Sequence, residues 1–151
     1  MDERLILEAG RVKDGLRVLV TGGGSGIGAS VVDALRSAGA KVFVCDIDPS
    51  TSPDHVADIS QGQQVEEMFR AIERDLGGLD VLVNNVGIAG PAGLVDEIDP
   101  NDFDEVLRVN LSGTFRVTAC AVPLLRSADS GLIVNIASTA GIFPYPYRSP
   151  Y

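Results

Sequence analysis

The stretch Val18-Leu19-Val20-Thr21-Gly22-Gly23-Gly24-Ser25-Gly26-Ile27-Gly28 decides the fold. An apolar, β-branched run meets a cluster of glycines, and an amphipathic pattern follows. That order predicts a strand, a tight turn and a helix. Glycine has no Cβ, so such a turn takes positive φ and lets a ligand approach the bare backbone. A helix beginning inside the turn aims its unpaired N–H groups and the positive end of its dipole at the same spot. A pyrophosphate is the simplest anion to be held there without a basic side chain. Taken alone, the pattern also fits an ordinary tight strand–helix turn. Its spacing, Gly22, Gly26, Gly28, differs from G-x-G-x-x-G and from a P-loop, which needs a Lys after its last Gly.

A length of 151 residues predicts one domain with a real core. The net charge of −9 argues against nucleic acid and anionic membranes as partners. Residues 1–15 carry charges throughout and no apolar h-region. They read as a loosely held leader before a domain at 16–151, neither signal peptide nor anchor. No later run suits a bilayer span. Cys45 and Cys120 sit in apolar patterns without metal-ligand spacing, as small buried hydrophobes in a reducing, cytoplasmic setting. With His55 as the single histidine, no zinc site is expected.

Outward from the turn, a strand is expected at Leu16–Val20 and a helix that buries Ile27, Val31, Leu35 and Ala38 before stopping at Gly39. Lys41–Asp46 reads as a strand buried on both faces. Asp46 follows the glycines by about twenty residues, where a dinucleotide fold places the acid that binds the adenosine ribose. A carboxylate there repels the 2′-phosphate of NADP, and the turn holds no Arg or Lys, so NAD is expected. The alternative is a strand-end Asp opening the turn at Asp48-Pro49-Ser50.

His55–Ile59 is expected as a third strand. Ser60 then starts a helix with Gln63 as its capping-box partner, burying Val65, Phe69, Ile72 and Leu76. A fourth strand, Leu79–Val83, runs into Asn84-Asn85-Val86-Gly87, whose amides could simply tie strand ends together. The acids from Asp96 to Glu105 fit a helix start, with Asp99 as N-cap and Pro100 at N1, better than a metal loop. That helix is expected to run to about Leu125 with Phe103, Val106, Leu107, Leu111 and Val117 on its apolar stripe. Asn110 is polar within the stripe and needs a partner. Gly131–Ser138 is the fifth strand, with Ser138 at the C-terminal end, where ligands sit in open sheets. This rhythm requires parallel strands and right-handed crossovers. The fold class is α/β: a Rossmann-like doubly wound parallel sheet, order 3-2-1-4-5, with helices on both faces.

Four ordered motifs carry a resemblance. They are Thr21-Gly22-x-x-x-Gly26-x-Gly28, Asn84-Asn85-Val86-Gly87, Val109-Asn110-x-x-Gly113, and Ser138 with Tyr151 at its spacing. From Leu16 onward the chain resembles the short-chain dehydrogenase/reductase family, with Val86 where that family's Asn-Asn-Ala-Gly has Ala. The resemblance implies an NAD-dependent oxidoreductase that interconverts a secondary alcohol and a ketone. Gly22, Ser25, Gly26, Ile27 and Gly28 would seat the pyrophosphate and Asp46 the adenosine ribose. Asp58, Ile59, Asn85 and Gly87 would border the adenine side. Ser138 would bind the substrate oxygen, Tyr151 would exchange its proton, and Asn110 would hold a relay water. No metal is implied, and a homodimer or tetramer is expected for the full-length protein.

The family's Lys, one helical turn after the Tyr, lies beyond the sequence, as do its carrying helix and the later strands. A free tyrosine has a pKa near ~10, and a nearby ammonium favours the phenolate. Tyr151 beside Pro150 is therefore expected to be badly poised, and the sequence reads as part of a longer enzyme. The alternative is a non-catalytic NAD-binding fragment or assembly module.

Overall fold

A computed structural model describes residues 12–151. Residues 1–11, most of the expected leader, lie outside the described residues. Lys13–Gly15 form a turn whose Gly15 N–H donates to the Gly39 carbonyl at 3.0 Å.

Five strands form one sheet: β1 (Arg17–Thr21), β2 (Lys41–Asp46), β3 (His55–Val56), β4 (Val81–Asn84) and β5 (Leu132–Asn135). Every pairing is parallel and the order is β3-β2-β1-β4-β5, as the sequence rhythm requires. Side chains alternate across the pleat, so neighbouring residues enter different cores. Val18, Val20, Val42, Val44, Val81 and Val83 pack with Val32 of α1 (Gly26–Ser37) on one face. Leu19, Phe43, Cys45 and Leu82 pack on the other face against α2 (Gly62–Leu76) and α4 (Thr114–Arg126). The uninterrupted apolar runs thus mark strands covered on both sides.

Several boundaries differ from expectation. β3 spans only two residues, and Val56 is 48% exposed; the chain leaves the sheet as Ala57 and Ile59 turn inward. α2 begins at Gly62, with no side-chain cap. The expected Ser60–Gln63 capping box is absent because Asp58 Oδ1 accepts the Ser60 N–H at 2.8 Å, and Gln64 Oε1 accepts the Asp58 N–H at 2.7 Å. Ile27 is 65% exposed, since Gly28 and Val32 form the buried face of α1.

The expected long helix is interrupted. α3 (Pro100–Leu107) passes into a π turn at Arg108–Gly113 before α4 begins. The wider turn re-phases the helix, leaving Val106, Val109, Val117, Ala121 and Leu125 inward and exposing Phe103, Leu107, Leu111 and Phe115. Asp99 caps α3 through Asn101 N at 2.7 Å, with Pro100 at N1. β5 is a sheet edge on which Leu132 and Val134 are exposed while Ile133 packs inward.

Arg17 and Asp80 tie β1 to the entry of β4. Arg17 Nε and Nη2 donate to the Asp80 carboxylate at 2.9 and 2.7 Å, and the Arg17 backbone N–H donates to it at 2.9 Å. The side-chain bonds outweigh burial and hold the Asp80 carboxyl below the usual carboxylate range. A lowered carboxyl pKa stabilises the fold above the unfolded value, near ~3.9, and that gain disappears as pH falls through the folded value. Asp80→Asn is expected to cost about 1–2 kcal/mol at neutral pH and progressively less under acid. Urea midpoints of the two proteins, measured across that range, should converge; a constant gap would contradict the assignment.

Candidate functional site

The C-terminal ends of the strands open onto one cleft, and the glycine turn forms its floor. Gly22 and Gly26 take φ of +63° and +53°. A Cβ on Gly28 would overlap the Gly22 carbonyl and stand 2.6 Å from Asn85 Nδ2. A Cβ on Gly26 would meet open space. The backbone therefore packs tightly beneath the turn and is bare above it. Ser25, extended at φ −150°, is the N-cap of α1 without a side-chain cap bond, and the first turn carries no acid. The leading N–H groups of α1 consequently lack side-chain partners, an arrangement suited to an anion.

Asn85 braces this floor from β4. Its Nδ2 donates to the carbonyls of Thr21 and Gly22 at 3.2 and 2.9 Å, while its backbone N–H donates to Thr21 Oγ1 at 3.1 Å. Its neighbour Asn84 is buried and donates to Thr118 Oγ1 at 3.1 Å and to Asn135 Oδ1 at 2.9 Å, joining β4, α4 and β5. Of the two asparagines, Asn85 alone shapes the turn.

On one side lies a cavity of about 460 Å³, lined by Gly22, Ser25, Ile27, Asp46, Asp58, Ile59, Asn85, Gly87 and Glu105 among others. Every residue expected on the adenosine side is thus brought to it. Asp46 Oδ2 accepts the Gly24 N–H at 2.8 Å and Oδ1 accepts the Asp48 N–H at 3.1 Å, so its carboxylate stands beside the turn. Burial alone would raise the Asp58 pKa. Bonds from Ser60 and Gln61, with the charge of Arg108, instead leave it below the usual carboxylate range.

A second cavity of about 700 Å³ shares Ile27, Asn85, Val86 and Gly87 with the first and continues to Asn110, Ser138 and Tyr151. Ser138 Oγ accepts the Ala140 N–H at 3.1 Å. Asn110 lies in the π turn, a feature often found at functional sites. Both atoms of its amide engage the segment leaving β4: Oδ1 accepts the Ile88 N–H at 2.8 Å and Nδ2 donates to the Ile88 carbonyl at 2.9 Å. This is the partner its place in an apolar stripe demanded.

Tyr151 is held by the segment before it. Gly93 N–H donates to the Tyr147 carbonyl at 3.0 Å, Arg148 Nη1 donates to the Gly90 carbonyl, and Pro150 is buried near Gly90. The Tyr151 ring is 44% exposed and meets Tyr145 edge-on, with centroids 6.0 Å apart. Beyond Ser138 and Tyr151 opens a third cavity of about 360 Å³, walled by Phe143, Pro144 and Tyr145.

Sequence reasoning missed Arg108, whose Nε and Nη2 donate to Glu105 and whose Nη1 meets Ser60 Oγ. Its lone signal, a charge three residues from Glu105, resembles any exposed helix pair. Burial pushes the Cys45 thiol up to about 12 and raises that of Cys120, so neither is an activated nucleophile. Among the described residues no group of three His, Cys, Asp or Glu stands where it could hold a metal, and no helix is long and apolar enough to cross a membrane.

A sequence profile described as short chain dehydrogenase matches residues 17–151. The chain is 34% identical over 152 aligned residues to a D-beta-hydroxybutyrate dehydrogenase of Cupriavidus necator, covering 91% of this chain and 58% of the relative. It superposes on NAD+-bound xylitol dehydrogenase with a TM-score of 0.84 at 28% identity, covering 91% of this chain and 58% of that one. Against 3-ketoacyl-(acyl-carrier-protein) reductase from Brucella melitensis complexed with NADH, the TM-score is 0.86 at 29% identity, covering 91% and 63%. The chain therefore spans somewhat over half the length of such relatives.

Proposed function

Because the chain belongs to the short-chain dehydrogenase family, we propose that it is an NAD-dependent oxidoreductase interconverting a secondary alcohol and a ketone. The observation that carries this is the single cleft, with Asp46 and Asp58 at one end and Ser138 and Tyr151 at the other. The crowding under Gly28 and the open space over Gly26 fit a pyrophosphate lying on the turn, and the amides of α1 would bind it. Asp46 would accept the adenosine ribose hydroxyls, and its charge would repel a 2′-phosphate. Two structural neighbours described as bound to NAD+ and to NADH agree with that choice. Asp58, Ile59, Asn85 and Gly87 would enclose the adenine side.

Nicotinamide, when bound, supplies the hydride acceptor or donor. The chain's own residues handle the substrate oxygen and its proton. Ser138 Oγ would hydrogen-bond that oxygen and stabilise the charge developing on it. Tyr151 would exchange the proton as general acid or base. Asn110, while clamping Ile88, would hold a relay water with its remaining hydrogen-bonding capacity. The same reading makes this a cytoplasmic homodimer or tetramer, to which the exposed row Phe103, Leu107, Leu111 and Phe115 would contribute. A second reading is a dinucleotide-binding module without turnover, which would need only the glycine turn and the Asp46 and Asp58 end of the cleft.

The test combines binding and turnover. Calorimetric titration should show NAD binding more tightly than NADP, and Asp46→Ala should weaken NAD by about tenfold and narrow the preference. NADH formation should then be followed over a panel of secondary alcohols. Unchanged NAD affinity in Asp46→Ala would contradict the ribose assignment. NAD binding without turnover on any alcohol would favour the second reading.

A further inference from the structure

The adenosine end of the cleft is bordered by acids. Asp46, Asp58 and Glu105 line its cavity and, among the described residues, no Lys or Arg does. In a chain of net charge −9 such a lining opposes an anionic ligand. One cation reaches the rim from behind it. Arg108 Nε and Nη2 hold the Glu105 carboxylate at 2.8 and 2.6 Å, and Nη1 meets Ser60 Oγ and lies 3.8 Å from Asp58 Oδ2. Glu105 stands on α3, whereas Asp58 and Ser60 belong to the segment before α2. The guanidinium therefore spans the two walls of the cavity. The remaining side-chain partners of Asp58 come from its own wall: Ser60 N at 2.8 Å and Gln61 Nε2 at 3.4 Å.

We propose that Arg108 is a positioning residue for the dinucleotide, clasping Glu105 to Asp58 across the adenosine end of the cleft and offsetting their charge there. This rests on the cleft being a dinucleotide site. The clasp acts on the adenosine half alone, because the cavity holding Ser138 and Tyr151 includes none of these three residues. The Arg108 side chain is 38% exposed, so added salt weakens the effect.

The test uses the whole chain, with AMP and nicotinamide mononucleotide as separate probes in calorimetric titrations at low and high salt. Arg108→Met keeps the stem and removes the charge; Arg108→Lys restores the charge without the planar fork. Arg108→Met is expected to weaken AMP about fivefold at low salt and less at high salt. Nicotinamide mononucleotide affinity and the melting temperature should stay near wild type, and Arg108→Lys should recover part of the loss. Unchanged AMP affinity in Arg108→Met would overturn the inference. So would equal weakening of both probes without recovery by Lys, which marks a purely structural role. A wild-type chain that binds neither AMP nor NAD would overturn the dinucleotide reading itself, a result distinct from either.

Discussion

Gly28→Ala is expected to abolish dinucleotide binding and to cost about 1–3 kcal/mol of stability. The added methyl would overlap the Gly22 carbonyl and crowd Asn85 Nδ2, neither of which can yield alone. That carbonyl already accepts from Asn85 at 2.9 Å, and Gly22 sits at φ +63°. Relief would have to lift the turn, displacing the leading amides of α1 that the proposed function assigns to a pyrophosphate. Gly62→Ala is the control, since α2 starts there and a Cβ meets nothing within 4 Å. It should leave NAD binding unchanged and stability equal or slightly higher. NAD titration and urea unfolding of both variants check this, and a Gly28→Ala protein that retains wild-type affinity would contradict it.

Tyr151→Phe is expected to lower turnover of a secondary alcohol by about 10²–10⁴-fold while NAD affinity stays at wild type. The substitution removes one hydroxyl and keeps the ring, so the edge-on contact with Tyr145 and the docking of residues 147–150 on Gly90–Gly93 should survive. The measurement is kcat against Kd for NAD on the same preparation. A loss confined to NAD affinity would place Tyr151 among the binding groups and remove it from proton exchange.

The fold was legible where one residue type repeats with one period. Val18, Leu19 and Val20 enter opposite cores in turn, and the same alternation in β2 and β4 makes the apolar runs readable as doubly covered strands. Glycine spacing exposed the turn because only bare backbone fits beneath it. Less was readable in the long helical stretch, because a π turn adds no residue type of its own. A 3.6-residue period therefore placed Phe103, Leu107 and Leu111 inward when the re-phased helix exposes them. Ile27 went the same way: apolar spacing assigned it to the core, but the helix starts so close to the turn that it lines the cleft. The Ser60 capping box failed because Asp58 competes for the same N–H.

At the site, single residues with strong geometric demands were readable. Asp46 at a strand end and Ser138 at the sheet's C-terminal edge both reach the cleft. Residues defined by partners distant in sequence were not. Asn84 needs Asn135 and Thr118, and Arg108 needs Asp58 and Ser60; only folding brings these together.

Under the proposed function, one dinucleotide lies along the whole cleft with its nicotinamide end at Ser138 and Tyr151. The most direct measurement is amide chemical-shift mapping of the chain during NAD titration. Saturable shifts are expected to trace one path from Gly22–Gly28 and Asp46–Ile59 through Asn85–Gly87 to Ser138 and Tyr151. Shifts confined to either end, or none at saturating NAD, would contradict it.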